Sequence, residues 1–301
     1  MNEEITQKYI KAGSIAAQTR DYGESLCKPG IKLLDLAEAI ERKIIELGGG
    51  IAFPVNLSLN SDAAHYTPHR NDATVLQAED YLKIDVGVHV DGFIGDTAVT
   101  VRPAGKDELI KCSEQMLEEA LKLFIPGEKI ARVGEIVEAI AIENGFRPIR
   151  NLTGHRVEQY SVHSPPAVMN IKNDSDYILK EGDVFGVEPF CTDGAGMVKD
   201  SPQTLIYGYM ANRPIRSPEG RRILEMSKSK FNGLPFARRW IEREISPLKT
   251  NLILKQLAQI GALHLYPVLR ESSDGMVSQS EHTIIVSEKP IITTKIYPSS
   301  S

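Results

Sequence analysis

Residues 81–101 constrain the fold of this chain more than any other segment, because two strand-like runs meet there at Asp91-Gly92. An Asp-Gly pair between apolar, β-branched runs is the strongest short signal for a hairpin with a two-residue loop. Such a loop pairs Val90 with Phe93 and thereby fixes the register of every other pair in the two strands. The segment predicts a regular antiparallel β-ribbon.

Two carboxylates lie within this ribbon. The hairpin register places Gly87 opposite Asp96, so Asp85 and Asp96 lie on one face as diagonal neighbours within reach of a common ion. Both side chains have mainly apolar neighbours, and two buried carboxylates repel unless a cation lies between them. On this pair alone, a metal site and a solvated face are about equally favoured, because a bulge could turn either side chain away.

Further candidates lie in the second half of the chain. His155 and His163 are eight residues apart in a strand-like region, and this even spacing places both imidazoles on one face if the strand is regular. Glu188 lies in an apolar run ahead of Pro189, where an unpaired carboxylate is costly. Glu281 begins another strand-like run, which also fits a solvated strand entrance. Each histidine alone fits a structural role better than a functional one.

Together these residues form an oxygen-rich set with one imidazole, suited to two divalent ions such as Co, Mn, Fe or Zn. The set is Asp85, Asp96, His155, Glu188 and Glu281. Two metals a few ångströms apart bind a shared water, lower its pKa and polarise a substrate carbonyl. The residues alone therefore predict a dinuclear metal hydrolase.

Hydrophobic periodicity predicts the order of elements. The predicted elements are helices over residues 5–26 and 33–47, strands over 51–101, helices over 107–124 and 130–144, strands over 149–191, a helical block over 212–260 with helices at 221–229, 236–245 and from 246, and strands over 281–286 and 291–296. Two helices followed by strands occur twice, which predicts an α+β fold with two similar halves. The last strands must pair with the earlier sheet. We therefore expect one domain from residues 1–193 and 272–301, with residues 194–271 inserted.

A short sequence similarity relates the two halves. Asp80 lies five residues before Asp85, and Asp183 lies five residues before Glu188, with a strand-like run between the two acids in each case. A match over so few positions fits either an internal duplication or chance.

Composition limits the class of protein. Hydrophobic residues make up 42% and charged residues 25%, which is enough apolar material for a core and gives no signature of disorder. A net charge of -5, with no basic cluster longer than Arg238-Arg239, argues against nucleic acid as a primary ligand. Residues 1–19 lack the pattern of a signal peptide, and no segment has the roughly 20 apolar residues of a membrane span. Three widely spaced cysteines argue against disulfides and thiolate zinc. We expect a cytoplasmic protein that uses no membrane.

At larger scale the sequence resembles type II methionine aminopeptidases of the pita-bread fold, especially archaeal ones. The matching motifs are Phe53-Pro54, Asn60, Ala63-Ala64-His65-Tyr66-Thr67-Pro68, Lys83-Ile84-Asp85, Gly87, Asp96, Gly154-His155, His163, Glu188 and Glu281-His282-Thr283. Residues 234–240 resemble the helical insertion that separates type II from type I enzymes. The resemblance covers nearly the whole chain and implies a curved, largely antiparallel sheet with outer helices.

The resemblance also implies how the ligands are shared. Asp85 would chelate one metal, and Asp96 and Glu281 would bridge both. His155 and Glu188 would complete the second site. Glu188 would in addition relay a proton from the bridging water to the leaving amine.

Other site residues follow only from the same resemblance. His65 and His163 would lie outside the primary metal shell, where they would position the substrate and stabilise the developing oxyanion. A narrow apolar slot would select the methionine side chain. By positional similarity its lining residues are Phe53, Val162, Ile206 and Tyr266.

The implied activity is removal of the initiator methionine from new polypeptides whose second residue is small. Its substrates would be methionyl peptides and nascent chains, and we expect a monomer that works close to the ribosome. Two alternatives remain: a proline-specific pita-bread peptidase, and a non-enzymatic binding protein on the same scaffold. Proline-specific enzymes usually carry a large N-terminal domain, which this sequence lacks. Non-enzymatic relatives have replaced metal ligands, whereas all are present here.

Overall fold

The computed structural model describes residues 1–296. Its helices are α1 (Glu3–Leu26), α2 (Leu33–Glu46), α3 (Glu108–Leu121), α4 (Ala131–Glu143), α5 (Pro218–Glu225), α6 (Arg238–Ile241) and α7 (Pro247–Gln259), with a π-helical turn at Met226–Lys230 after α5. Its strands are β1 (Gly50–Ile51), β2 (Asn56–Leu59), β3 (Asp62–Ala64), β4 (Leu82–Val90), β5 (Phe93–Val101), β6 (Arg147–Pro148), β7 (Thr153–Glu158), β8 (Ser161–Met169), β9 (Val184–Val187), β10 (Phe190–Thr192), β11 (Val198–Tyr209), β12 (Phe236–Ala237), β13 (Leu263–Glu271), β14 (Val277–Gln279), β15 (His282–Ile285) and β16 (Ile291–Ile292).

The hairpin predicted from Asp91-Gly92 is confirmed. Strands β4 and β5 pair residues 82–90 with residues 93–101 without a register shift. Asp91 and Gly92 have φ angles of 52° and 87°, which a two-residue turn of type I′ requires at both central positions. The local sequence therefore sets the register of the strands that carry Asp85 and Asp96.

Two sheets form the interior. The first joins β1, β2 and β5 to β4, and the second runs in the order β16, β15, β9, β7, β8. A backbone bridge between Ala98 and Glu281 connects them. Helices α1 and α2 cover the first sheet with one apolar core, while α3 and α4 cover the second with another. The predicted α+β arrangement of two halves with outer helices is confirmed.

The two halves share a local turn. Asp80 accepts a hydrogen bond from the backbone N–H of Gln77 at 2.8 Å, immediately before β4. Asp183 accepts one from the backbone N–H of Lys180 at 3.0 Å, immediately before β9. In both cases the aspartate side chain closes a turn over the three preceding residues and starts a buried strand.

The helical block differs from the periodicity in detail. The helix expected over 236–245 is present only at residues 238–241. Phe236 and Ala237 instead form β12 and pair with Tyr207 and Ile206 of β11, and residues 242–245 are not helical. Phe236 is fully buried and its ring stacks on that of Phe231, so tertiary packing overrides the helical spacing. The final strand is also shorter than expected, since β16 ends at residue 292 within the predicted span 291–296.

Strands β11 and β13 pair along most of their length and flank the helical block. The block has its own apolar core, in which Ile223, Leu254 and Leu257 are fully buried. The exact boundaries of an inserted segment at residues 194 and 271 stay a prediction. Within residues 1–296 no helix is both long enough and apolar enough to span a bilayer.

Candidate metal centre

All the candidate site residues line one cavity of about 220 Å³ on the inner face of the two sheets. They are Phe53, His65, Asp85, Asp96, His155, Val162, His163, Glu188, Ile206, Tyr266 and Glu281. The structure therefore brings together residues from both halves and from the strands that flank the helical block.

The first half supplies two carboxylates from adjacent strands. Asp85 lies on β4 and Asp96 on β5, where Gly87 is the residue opposite Asp96. Thr283 of β15 holds the backbone of Asp96 from the other side, because its hydroxyl accepts from the Asp96 N–H at 2.7 Å and donates to the Asp96 carbonyl at 2.8 Å. Asp96 consequently lies at the junction of the two sheets.

The second half supplies the remaining candidate ligands. The Nε2 atom of His155 lies 3.3 Å from Glu188 Oε1 and 3.7 Å from Asp96 Oδ2. One ligand atom each from Asp96, His155 and Glu281 lies within 4.8 Å of the others. These distances suit side chains that surround a small cation.

Several carboxylate oxygens of this cluster have no hydrogen-bond donor among residues 1–296, as expected for ligands of a cation. Asp85 Oδ1, Asp96 Oδ1 and Glu281 Oε1 are buried and find no hydrogen-bond partner within the described residues. Leaving such acceptors unsatisfied costs about 1–3 kcal/mol each, and more when they are charged. Their oxygen-rich chemistry, with one imidazole, matches divalent metals.

Electrostatics support the same conclusion. Burial raises the pKa of Asp96 well above its usual range, and the charge of Asp85 raises it further. Burial and the neighbouring Glu188 act in the same way on the pKa of Asp85. Burial, followed by the charge of Asp96, raises the pKa of Glu281. A bound divalent cation reverses this effect, because it stabilises the ionised form of every carboxylate around it.

His155 and His163 meet for a different reason than their spacing indicates. The condition of one regular strand is not met, because the chain turns at Tyr160 and the histidines lie on the paired strands β7 and β8. Register shifts in this hairpin bring the two rings to a centroid distance of 4.5 Å. The even spacing of eight residues is therefore incidental.

His65 is fixed in one tautomer. Its Nδ1 lies 3.1 Å from the carbonyl oxygen of Pro267, and a carbonyl only accepts, so Nδ1 carries the proton. Burial lowers the pKa of His65 to about 4, which keeps the ring neutral at neutral pH. Its Nε2 atom is then a hydrogen-bond acceptor.

His163 lies across the cavity and remains accessible to solvent, although protein surrounds most of its ring. Burial, and then the charges of the other histidines, lower the pKa of His163 well below its usual range. Its ring centroid is 6.2 Å from that of Tyr266. Two neutral imidazoles therefore face the cavity from opposite halves.

The apolar residues form a wall beside the candidate metal ligands. Ile206 and Tyr266 are direct partners on β11 and β13. The ring of Phe53 packs on Gly87, where an added Cβ would lie 2.1 Å from a ring carbon. The glycine therefore leaves the space that Phe53 needs beside Asp85.

Two polar residues of the site were not found from the sequence. Asn56 is paired with Asp85 on β2, lines the cavity, and has a buried Oδ1 without a hydrogen-bond partner in the described chain. Gln279 is 1% exposed and its Nε2 donates to Glu188 Oε2 at 3.3 Å. Period-two spacing from Glu281 indicates Gln279, but Asn56 requires the pairing of β2 with β4, for which the sequence has no turn signal.

Comparison with known families identifies the class. A family model described as Metallopeptidase family M24 matches residues 7–222. The fold and the acidic centre thus define a metallopeptidase that uses divalent metal.

Curated relatives narrow the class further. The methionine aminopeptidase of Thermococcus onnurineus is 49% identical over 288 residues, which cover 95% of this chain and 98% of the relative. That of Archaeoglobus fulgidus is 41% identical, with coverage of 98% and 100%. The chain belongs to the methionine aminopeptidases of metallopeptidase family M24. The resemblance to archaeal type II enzymes is confirmed.

Solved structures share the fold at low identity. A thermophilic Arx1 matches with a TM-score of 0.84 at 19% identity, covering 97% of this chain and 91% of that one. The methionine aminopeptidase of Thermotoga maritima matches with a TM-score of 0.72 at 20% identity and covers 98% of both chains. A prolidase from Pyrococcus furiosus has a TM-score of 0.61 at 15% identity, over 99% of this chain and 65% of that one. The predicted pita-bread fold is confirmed.

Proposed function

We propose that this protein removes N-terminal methionine from peptides and nascent polypeptides whose second residue is small. One observation carries the proposal: a complete set of metal-ligand side chains, with unsatisfied buried oxygens, lines the same cavity as an apolar wall. The names of the curated relatives support the same activity. A cytoplasmic monomer acting close to the ribosome fits this function.

Two divalent ions, drawn from Co, Mn, Fe and Zn, are proposed as cofactors. Asp85 would hold one ion, Asp96 and Glu281 would bridge both, and His155 and Glu188 would complete the second position. When bound, the metals supply an activated water and a polarised carbonyl for amide hydrolysis.

Glu188 is suited to move a proton during the reaction. Its Oε1 faces His155, while Gln279 fixes its Oε2 by a hydrogen bond of 3.3 Å. The carboxylate therefore has a defined orientation at the edge of the metal cluster. The Glu188 carboxylate would accept a proton from the attacking water and donate it to the leaving amine.

The two imidazoles would take different roles. His65 Nε2 is an acceptor in the tautomer set by Pro267, so it would accept from an N–H of the substrate. It has no proton on Nε2 to donate to an oxyanion. We therefore assign the oxyanion role to His163, which is neutral and accessible in the cavity and can carry its proton on either ring nitrogen.

The apolar wall would select the first residue. Phe53, Val162, Ile206 and Tyr266 border the cavity beside the metal cluster, and its limited volume favours one long, unbranched side chain. The second residue of the substrate would lie at the mouth near His65. A bulky side chain there would displace the scissile carbonyl, and a shift of about 1 Å costs on the order of a hundredfold in rate.

Peptide hydrolysis tests this proposal directly. The values of kcat/KM are measured for Met-X-Ser peptides with X as Gly, Ala, Val, Leu and Lys, with Leu-Ala-Ser, Ala-Pro and Gly-Pro as controls. We expect rates to fall as X becomes larger and free methionine to be the product. Equal rates for every X, or faster cleavage of Leu-Ala-Ser, would indicate a broader aminopeptidase. Preferential cleavage of the proline dipeptides would indicate a proline-specific enzyme.

Metal titration tests the number of ions. Activity and bound metal are measured together as Co, Mn, Fe or Zn is added to chelator-treated protein. Full activity at one ion per chain would contradict the dinuclear arrangement.

A further inference from the structure

We propose that Arg239 is a positioning residue: held by Glu41, it fixes the loop that carries His65 and so sets the position of that imidazole in the cavity. The inference rests on the proposed function, and it assigns a role in that reaction to a residue of the helical block. Arg239 belongs to α6, whereas Glu41 belongs to α2. The contact therefore joins the block to the first half.

The ion pair is deeply buried. Arg239 is 3% exposed and Glu41 is 6% exposed. The Nη2 atom of Arg239 pairs with Glu41 Oε1, and the indole Nε1 of Trp240 donates to Glu41 Oε2 at 3.1 Å. Burying two charges removes their hydration, and this loss can exceed their mutual attraction, so such a pair is weak support for a purely stabilising role. The contacts of Glu41 with Arg239 and Trp240 instead fix the position of the Arg239 guanidinium.

Arg239 also contacts the His65 loop directly. Its Nη1 atom donates to Thr67 Oγ1 and to the Pro68 carbonyl oxygen at 3.2 Å. The Thr67 hydroxyl in turn donates to the Val55 carbonyl at 2.8 Å. One guanidinium thus holds residues 67–68 against the segment that follows Phe53.

The loop needs this support because its backbone is strained at His65. The φ angle of His65 is 65°, a left-handed conformation that is unfavourable for a residue with a Cβ atom. Pro267 of β13 holds the ring on one side at 3.1 Å. Arg239 holds the chain two residues later on the other side. We expect the imidazole to shift when the contact with Arg239 is lost.

The structure contains a matched control pair. Arg243, two residues after the end of α6, pairs with Glu38 of α2 at 2.9 Å. These side chains are 59% and 37% exposed, and in the described part of the chain Arg243 makes no hydrogen bond to residues 65–68. Both pairs join the same two regions, but only the buried one contacts the His65 loop. A general docking role predicts similar effects for both, whereas the positioning role does not.

The test is a double-mutant cycle on Met-Ala-Ser hydrolysis with metal-loaded protein. We expect Arg239→Met to lower kcat by roughly tenfold to a hundredfold with unchanged bound metal, since a displacement of about 1 Å has that effect. Arg243→Met should leave kcat within about twofold. In a His65→Ala background, Arg239→Met should cause little further loss, because both changes remove the same function. An equal loss in both backgrounds would overturn the proposal.

A second variant separates positioning from stability. Arg239→Met/Glu41→Leu removes both charges and keeps apolar volume, so we expect it to fold while kcat stays low. Recovery of wild-type kcat in this variant would also overturn the proposal. If wild-type protein releases no methionine, the proposed function fails and the inference is tested separately by the ¹⁵N shifts of the His65 ring. Those shifts should change in Arg239→Met and not in Arg243→Met, and unchanged shifts in both would contradict it.

Discussion

The two halves of the molecule place a carboxylate at the same local position, but they differ two residues earlier. In the first half Lys83 precedes Asp85, and in the second half Gly186 precedes Glu188. Lys83 is 1% exposed, and its Nζ donates to the Asn60 carbonyl at 2.7 Å, so its chain fills space under the turn between β2 and β3.

Gly186 instead lies beside the candidate metal ligands His155 and Glu281. A Cβ at this position would lie 3.0 Å from His155 Cε1 and 3.1 Å from Glu281 Oε1. A side chain at position 186 would therefore press on two candidate metal ligands. The first half acts as a regular frame that presents two carboxylates from one hairpin. The similar turns closed by Asp80 and Asp183 therefore lead into strands with different environments.

The largest expected effect comes from replacing Asp96, which lies at the junction of the two sheets. Asp96→Asn should abolish or severely weaken metal binding and lower kcat/KM by at least about a thousandfold, because a neutral amide bridges two cations poorly. Metal content and Met-Ala-Ser hydrolysis are measured with the exposed Asp174→Asn as control. Wild-type activity with one bound ion would show that Asp96 is not shared between two metals.

A smaller effect is expected from the histidine of the first half. His65→Ala should retain bound metal but lower kcat by about a hundredfold, because His65 contacts the substrate and not the metal in our proposal. Metal content and kcat are compared with those of His69→Ala, an exposed histidine of the same loop. Loss of metal from His65→Ala would move this residue into the ligand set.

Glycine substitutions sharpen the comparison of the halves. Gly186→Ala should weaken metal affinity by about tenfold, because its Cβ presses on His155 and Glu281. Gly87→Ala should instead raise KM for methionyl peptides with metal affinity unchanged, since its Cβ meets the ring of Phe53. Metal titrations and KM values for both variants check this division. The opposite pattern would mean that the first half, not the second, encloses the cation.

The same contrast explains how far the sequence could be interpreted. The first-half carboxylates were predictable, because Asp91-Gly92 fixes a regular ribbon and its register carries to Asp96. In the second half the chain turns between β7 and β8 and their pairing contains register shifts, so the regular strand on which the spacing of His155 and His163 depends does not form.

Residues brought in by distant pairing were beyond local signals. Asn56 reaches the cavity only because β2 pairs with β4, and Arg239 reaches Thr67 only because α6 docks on α2. Family resemblance supplied the roles of His65 and the apolar wall, but not the tautomer that Pro267 imposes. Tertiary contacts, which periodicity does not encode, decide each of these features.

The last prediction concerns stability instead of turnover, namely the pH dependence of folding through His65. Burial lowers its folded-state pKa to about 4, below the value of about 6.5 in an unfolded chain. Between these two pKa values the unfolded chain binds more protons than the folded protein, so the free energy of unfolding rises with pH. The stability that the neutral His65 contributes is therefore present above about pH 6.5 and is lost as the pH falls to about 4. The contribution is at most about 3 kcal/mol, and partial exposure of the ring reduces it.

His65→Gln should therefore flatten the pH dependence of the free energy of unfolding relative to wild type in that window. Urea unfolding at pH 4.5, 5.5, 6.5 and 7.5 measures the difference, and taking differences cancels the carboxylates that titrate in every variant. His163→Gln extends the comparison to the second half, because burial also lowers the pKa of that histidine. Parallel curves for wild type and His65→Gln would mean that the pKa of His65 is the same in the folded and the unfolded protein, which would contradict the lowered pKa of the buried imidazole.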